Sequence, residues 1–329
     1  MIKRIFWGIS SFLIISACQH DQLEVDVSDV KTTTRFHRFD SAFFNLDTTN
    51  FSEGLFRLKQ DYPLFFQSGA TDQFWRFQRT DPRQVELYQR IKEVWGNMDE
   101  ANRSLNYAMK HFYYYYPEKK DITFYTYVSN LDFQYPVLYA PENEVTFVAL
   151  DLYLGQNQRY YAHLPAYLAY RRNPFFMIRD CMETLARENI TPLREQEAYT
   201  LLDAMIYHGK VLYFIEAMMP EAPDWMITRY IDEHLEFCRQ NERNVWAYFI
   251  ENNLLFSKKD DDIRRFMDPA PFSKFGMKFD NQTPGQIGHW VGWQIVKSYH
   301  RNNSGTSLKD IFAETDSRKF LKLSAYKPE

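Results

Sequence analysis

The chain has 329 residues, of which 45% are hydrophobic and 25% are charged, and its formal net charge is −4. A weakly acidic chain without long basic runs lacks the concentrated positive surface that binds nucleic acid or anionic lipid, so neither is expected as a partner. Aromatic residues make up 18% of the sequence, and at helical spacing they more often form a core than a sugar-stacking surface.

The N-terminus has the pattern of a lipoprotein signal. Lys3 and Arg4 precede an uncharged, mostly apolar run from Ile5 to Ile15, and the sequence Ile-Ser-Ala-Cys ends at Cys18. A helix of this length spans about 16 Å, roughly half of a bilayer core, and is too short for a stable transmembrane anchor. An ordinary signal peptide is the alternative, but the small residues before a cysteine favour cleavage at that point. We therefore predict a signal peptide over residues 1–17 and covalent lipid on Cys18, with no other cofactor.

Cleavage would remove two basic residues and no acidic ones, which changes the net charge from −4 to −6. Residues 18–29 are polar and acidic and are predicted to form a tether, and residues 30–329 are predicted to form a single domain. The residue after the lipidated cysteine is Gln19, so the aspartate of the best-known inner-membrane retention signal is absent. We expect a lipid-anchored envelope protein that faces the periplasm from the outer or the inner membrane.

The elements predicted in the first half are a strand, three helices and a β-rich segment. The strand is expected near Lys31–Phe39. Amphipathic spacing then predicts helices over Asn50–Asp61, Pro82–Met98 and Glu100–Tyr115. Three further strands are predicted at Ile122–Val128, Pro136–Tyr139 and Val145–Tyr153. A turn at Pro141–Glu144 separates the last two strands, as in a hairpin.

Helical patterns return beyond residue 173. Asn173-Pro174, Thr191-Pro192 and Thr283-Pro284 each place a capping side chain before a proline, which favours a helix start. These starts predict helices over Pro174–Glu188 and from Pro192 to Met219, and Asp224 is predicted to cap a helix that begins at Trp225. The fold class is therefore α+β, mostly α, with a small antiparallel or mixed sheet flanked by many helices.

Two glycines give the sharpest local pattern. Gly288 and Gly292 are four residues apart, so they share one helix face and would let a second helix approach closely. Trp290 and Trp293 would fill the adjacent volume. We interpret the segment as a packing feature that specifies the fold, with a binding groove as the alternative.

Residues suited to catalysis are sparse. The chain has no serine nucleophile elbow, no phosphate-binding glycine loop and no pair of histidines four residues apart, which a zinc-peptidase helix needs. His208 is predicted to be a hydrogen-bonded histidine of the core or surface, or to line a cleft. Cys181 and Cys238 lie on apolar helix stripes and are expected to be buried free thiols, although an oxidising periplasm would allow them to pair.

The chain resembles the GldB-type gliding-motility lipoproteins of gram-negative bacteria. The residues that carry the resemblance are Arg38-Phe39-Asp40, Ala149 to Gly155, Gly209 to Tyr213, Met219-Pro220, Glu242 with Trp246, Pro284 to Gly288, Trp290 to Val296, and Ser324 to Pro328. They extend over essentially the whole mature chain. The resemblance implies a role in gliding, with other proteins of the gliding or secretion machinery as partners and a membrane contact through the lipid.

That family is similar to predicted zincin-type metalloproteases. In those relatives a helix after the sheet carries His-Glu-x-x-His, and a later helix supplies a glutamate ahead of a glycine. Here the segment Pro174–Glu188 lacks the motif, and His208 precedes Gly209. The resemblance thus implies a zincin-like scaffold without catalytic residues or metal ligands. Asp180, Glu183 and His208 are the candidate residues of a vestigial cleft.

These observations favour a non-catalytic interaction module tethered to the membrane. Its cleft, beside the strand Val145–Tyr153, could hold a peptide by strand addition. A glycan- or peptidoglycan-binding envelope lipoprotein is the alternative, because aromatic residues are abundant. A lipid-anchored hydrolase with an unrecognised site is a further alternative.

Overall fold

The structure, a computed structural model, describes residues 22–119, 121–192 and 199–328. The signal peptide and the lipid attachment predicted at Cys18 lie outside the described residues. Many helices surround one four-stranded sheet, which confirms the predicted fold class. Leu23, within the predicted tether, is only 2% exposed and packs in the core.

The sheet is mixed. Its strands are β1 (Phe36–Arg38), β2 (Thr123–Tyr127), β3 (Val137–Ala140) and β4 (Val145–Ala149), in the spatial order β1-β2-β4-β3. The first two pairings are parallel, whereas β3 and β4 form the predicted antiparallel hairpin. Because β4 is paired on both sides, it offers no edge for strand addition, and the expectation of a peptide cleft beside it was wrong. The free edge next to it belongs to β3.

Two predicted strands were too long. The first ends at Arg38, because Phe39 already begins a helix and turns into the core. The last ends at Ala149, because Leu150–Leu152 form a 3-10 turn whose three residues are buried. A continuous run of buried apolar residues does not distinguish a strand from a buried turn.

Five helices belong to the N-terminal half. They are α1 (Phe39–Phe44), α2 (Phe51–Asp61), α3 (Asp72–Thr80), α4 (Pro82–Trp95) and α5 (Asp99–Tyr115). The sequence prediction missed α3, which has no buried residue and is capped by the Thr71 side chain. Aromatic rings fill the space under these helices, with Phe39 stacked on Phe65 at 3.7 Å and Phe44 on Tyr88 at 4.6 Å between ring centroids.

Nine helices follow the sheet in the described part of the chain. They are α6 (Ala166–Tyr170), α7 (Met177–Asn189), α8 (Leu201–Met218), α9 (Asp224–Thr228), α10 (Asp232–Glu251), α11 (Asp260–Met267), α12 (Ile287–Asn302), α13 (Leu308–Ala313) and α14 (Ser317–Ser324). The central helix is α8, in which only three of 18 residues are not buried. Cys181 and Cys238 are buried free thiols, as predicted.

The predicted helix starts were mostly wrong. The Asn173-Pro174 pair begins a 3-10 turn that leads into α7, without a capping bond from the asparagine side chain. Helix α8 begins at Leu201, because Thr200 and Asp203 form a reciprocal capping box. Thr191-Pro192 is therefore not its start. The long helix predicted from Pro192 runs through residues 193–198, which lie outside the described part.

Two further caps differ from prediction. Asp224 is the first residue of α9 and follows Pro223, so it does not cap a helix that begins at Trp225. Thr283 does not cap α12. Its hydroxyl accepts a 3.0 Å hydrogen bond from the Ser273 backbone N–H, and α12 starts only after Gln286. A Thr-Pro pair therefore marks a turn here, because the threonine hydroxyl has a tertiary partner.

Helices α8 and α12 pack with their backbones in contact, as the glycine spacing predicted. A Cβ atom added to Gly292 would lie 1.7 Å from the carbonyl oxygen of Met205 on α8. A Cβ atom added to Gly209 would lie 2.2 Å from the carbonyl carbon of Gly292. The sequence analysis missed Gly209 as the matching glycine on the other helix. Only glycine at both positions permits this approach.

The environment of Lys210 on α8 predicts that the free energy of unfolding depends on pH. The side chain is buried and donates to the backbone carbonyl of Glu314, and burial lowers the pKa of Lys210 to about 8 despite the attraction of the Glu314 carboxylate. Above that pH the unfolded chain binds more protons than the folded chain, so this lysine makes stability rise with pH up to its unfolded pKa. The difference in unfolding free energy between wild type and Lys210→Met should rise by about 1 kcal/mol per pH unit from pH 8 to 9.5.

Denaturant titrations at several pH values would measure this difference. Subtracting the variant removes the contributions of buried thiols and tyrosines, which titrate in both proteins. Lys322→Met, at an exposed position on α14, is the control and should show no such trend. A pH-independent difference for Lys210→Met would contradict the expectation.

Candidate functional site

A cavity of about 440 Å³ lies where α7, α8 and α12 meet. Its ionisable lining residues are Arg171, Arg179, Glu183, Arg187, His208, Arg229, Asp268 and His289. A second cavity adjoins it and shares Arg171, Glu183, Arg187 and Arg229, while Asp180 and Arg172 line only this second cavity. The two cavities therefore share a wall of arginine and carboxylate side chains.

Helix α7 supplies the centre of that wall. Arg179, Glu183 and Arg187 follow one another at intervals of four residues, which places their side chains on one face of the helix. Arg229 reaches the same cluster from the residue after α9, and Arg171 from the residue after α6. No regular sequence pattern connects these two residues with α7, and the tertiary fold alone brings them there.

Arginines hold both oxygens of Glu183. Oε1 accepts from Arg187 at 2.6 Å, and Oε2 accepts from Arg229 at 2.9 Å and also from Arg179. Burial disfavours the ionised carboxylate, but the three guanidinium groups outweigh it and hold the pKa of Glu183 well below its usual range. Glu183 therefore stays ionised, with its acceptor sites occupied by charged donors.

Asp180 connects this cluster to the end of the sheet. It accepts a hydrogen bond from the Tyr153 hydroxyl at 2.8 Å and pairs with Arg229. Arg179 lies 3.4 Å from the same carboxylate and also donates to the backbone carbonyl of Ile227 at 3.1 Å. Both carboxylates near the middle of α7 are thus fully engaged by arginine or tyrosine donors.

Arg171 is held differently. Its guanidinium donates to the Gln286 side-chain oxygen, and no carboxylate oxygen of the described residues lies within the 4.0 Å of an ion pair. Burial and the nearby Arg229 charge lower the pKa of Arg171 to about 10. Gln286 and Arg229 both have left-handed backbones, each with φ of 60°. Such strain at non-glycine residues is found often at functional sites.

Two histidines stack in the cavity wall. The rings of His208 on α8 and His289 on α12 lie 4.0 Å apart between centroids, with 16° between their planes. Burial, together with repulsion from His208, holds the pKa of His289 well below its usual value. His289 is therefore neutral at physiological pH, whereas the arginines of the cavity wall are positively charged.

The donor set does not match a cation site. Within the described ranges, no group of three or more histidine, cysteine, aspartate or glutamate side chains is arranged to hold a metal ion. The carboxylate of Glu183 could in principle coordinate a metal ion, but both of its oxygens already accept hydrogen bonds from arginines. Guanidinium groups and the neutral imidazole of His289 instead offer hydrogen-bond donors to an anion.

The structure brings two of the three predicted cleft residues into one cavity. Glu183 and His208 both line it, and Asp180 lies behind them in the second cavity. The sequence analysis did not single out the four arginines or His289. The regular spacing of Arg179, Glu183 and Arg187 could have indicated the α7 part, but no signal pointed to Arg171 or Arg229.

The family comparison agrees with the resemblance noted in the sequence. A family model described as gliding motility protein GldB matches residues 20–328. The chain belongs to the GldB family. Membership makes it a gliding motility protein of the cell envelope, with partners in the gliding machinery. Comparisons with curated proteins and with solved structures found no match.

One further structural finding concerns the membrane. None of the helices in the described part of this GldB-family chain is long and apolar enough to cross a membrane.

Proposed function

We propose that this GldB-family chain is a lipid-anchored, non-catalytic interaction module of the gliding machinery. The observation that carries the proposal is the state of Glu183. A hydrolytic base needs a free acceptor site and a pKa near the working pH. Glu183 has neither, because three arginines occupy its oxygens and hold its pKa well below the usual range.

The edge of the sheet supports an interaction role. Among the described strands β3 is paired only with β4, and although α7 contacts β3, its unpaired edge is the candidate for a partner strand. Leu138 on β3 is 47% exposed and Tyr135 just before it is 50% exposed. Val137 also lines the second cavity. A peptide added to β3 would therefore lie beside the arginine cluster, and this location replaces the one expected next to β4.

The alternatives have less support. Most of the aromatic residues that suggested glycan binding are buried in the core or pack against it, although Phe56 and Phe77 are exposed on α2 and α3. A hydrolase would need a base other than Glu183, and His208 with His289 is a candidate pair among the described residues that line the cavity. His289 stays neutral and buried against His208, and no carboxylate of the described residues is hydrogen-bonded to its ring.

Metal analysis of the purified lipoprotein tests the non-catalytic assignment. The wild-type protein is extracted from membranes with detergent. The variant Cys18→Ala is expected in the soluble fraction instead, because it lacks the acyl chains. Elemental analysis should find substoichiometric zinc in wild type and no change in His208→Ala, because no three histidine, cysteine or acidic side chains of the described residues are arranged to hold a metal ion. Stoichiometric zinc, lost together with a hydrolytic activity in His208→Ala, would overturn the proposal.

A further inference from the structure

The two adjoining cavities carry more positive than negative charge. Within the described part of the chain, five arginines and three carboxylates line these cavities. Asp180 and Glu183 are engaged by Arg179, Arg187 and Arg229, whereas the third carboxylate, Asp268, is exposed to solvent and forms no ion pair within the described ranges. Arg171 and Arg172 have no carboxylate partner among the described residues. A partly buried charge is costly without a counter-charge, so the cluster favours an anion from outside the chain.

Hydrogen-bond donors in the same wall are also unused. The Nε atoms of Arg172 and Arg229 are buried and have no hydrogen-bond partner within the described ranges. Arg171 uses its guanidinium for a single side-chain acceptor, Gln286. Guanidinium groups bind carboxylate and phosphate with paired N–H donors, so the guanidinium groups of Arg171 and Arg172, which form no ion pair within the described ranges, suit either oxyanion. This observation is independent of the charge count and points to the same kind of ligand.

The remaining walls indicate that the ligand is larger than a bare oxyanion. The first cavity is about 440 Å³ and falls in the range of sites for small organic molecules. Away from the arginines it is lined by apolar and aromatic side chains, namely Tyr199, Tyr207, Val211, Leu212, Ile263 and Met267. These side chains would contact an uncharged part of the ligand while the arginines hold its anionic group.

We propose that the two adjoining cavities together bind an organic anion, whose carboxylate or phosphate group pairs with the guanidinium groups of Arg171, which lines both cavities, and of Arg172, which lines the second. The site is a binding site and needs no reaction. The inference goes beyond the interaction role proposed above and does not rest on it, because it concerns a small ligand and uses only purified protein.

Binding of defined anions to the full-length lipoprotein in non-ionic detergent tests the inference. Inorganic phosphate and acetate probe the bare oxyanions at constant ionic strength. N-acetylglucosamine 6-phosphate and neutral N-acetylglucosamine probe the contribution of charge on one organic body, and N-acetylmuramic acid supplies a carboxylate instead. Isothermal titration calorimetry should show saturable binding of at least one anion, with affinity at least about tenfold above that for the neutral sugar.

Four variants distinguish binding at the site from binding at the protein surface. Arg171→Gln should weaken anion binding at least about tenfold, and Arg172→Gln should also weaken it, because each removes charged donors. Arg103→Gln removes an exposed arginine on α5 and should bind as wild type does. Far-UV circular dichroism checks that each variant is folded. Arg171→Lys keeps the charge and should restore part of the affinity.

Two results would overturn the inference. One is that no anion saturates wild type below about 10 mM, a concentration at which even a weak specific site would fill. The other is that charged and neutral sugars bind equally and neither Arg171→Gln nor Arg172→Gln changes the affinity. A difference in affinity between the phosphate and the carboxylate ligands would show which of the two anionic groups the site prefers. None of these results bears on zinc content, which tests the proposed function separately.

Discussion

Replacing Gly292 by alanine is expected to destabilise the protein by about 3 kcal/mol or more. Alanine favours a helix over glycine by roughly 1 kcal/mol, so propensity alone would predict stabilisation. The added methyl group would lie 1.7 Å from the Met205 carbonyl oxygen. Backbone atoms cannot rotate away as a side chain can, so α8 and α12 would have to separate along the most buried interface of the C-terminal half.

Chemical denaturation monitored by tryptophan fluorescence would measure this change. Gly305→Ala is the matched control, because no atom of the described residues lies within 4 Å of the methyl group that it adds. The control should differ from wild type by less than about 0.5 kcal/mol. If the two substitutions had equal effects, α8 and α12 would not be in the close contact described.

Replacing Glu183 by glutamine should have a comparably large effect, about 3–5 kcal/mol of lost stability. The side chain keeps its size, but Arg179, Arg187 and Arg229 lose the charge that compensates them. The low pKa of Glu183 also gives the effect a pH signature. Its stabilising contribution is present above the unfolded pKa of about 4.5 and is lost as the pH falls below it. The stability gap between wild type and variant should therefore narrow in acid.

Unfolding titrations at neutral and acidic pH would measure both the loss of stability and its dependence on pH. Glu93→Gln removes the carboxylate of an exposed ion pair with Arg90 and is the control, with an expected cost below about 1 kcal/mol. An equal cost for Glu183→Gln and Glu93→Gln at neutral pH would show that the α7 cluster does not stabilise the fold.

The sequence was sufficient for features that depend on neighbouring residues. Hydrophobic spacing located α2 and α5 to within one residue at each end, and the turn after Pro141 indicated the β3–β4 hairpin. The spacing of Gly288 and Gly292 also predicted a close helix contact, because the period of a helix places such residues on one face. These features follow from rules that act over a few residues.

Pairing across the sheet could not be predicted in this way. The parallel neighbours β1 and β2 are separated by the helices α1 to α5, and a strand pattern does not specify its partner. The same limit explains why β4 was expected to border a cleft. Its sequence is that of a buried strand, but only the sheet order shows that both of its sides are paired.

Within the candidate site, the sequence determined the α7 face and little else. Arg179, Glu183 and Arg187 are aligned by the helix period, so their mutual contact is local. Arg171, Arg229 and His289 come from separate parts of the chain, and only packing of α6, α9 and α12 against α7 and α8 brings them into one cavity. The charge of that cavity is a tertiary property, because it depends on which side chains from distant parts of the chain are buried next to one another.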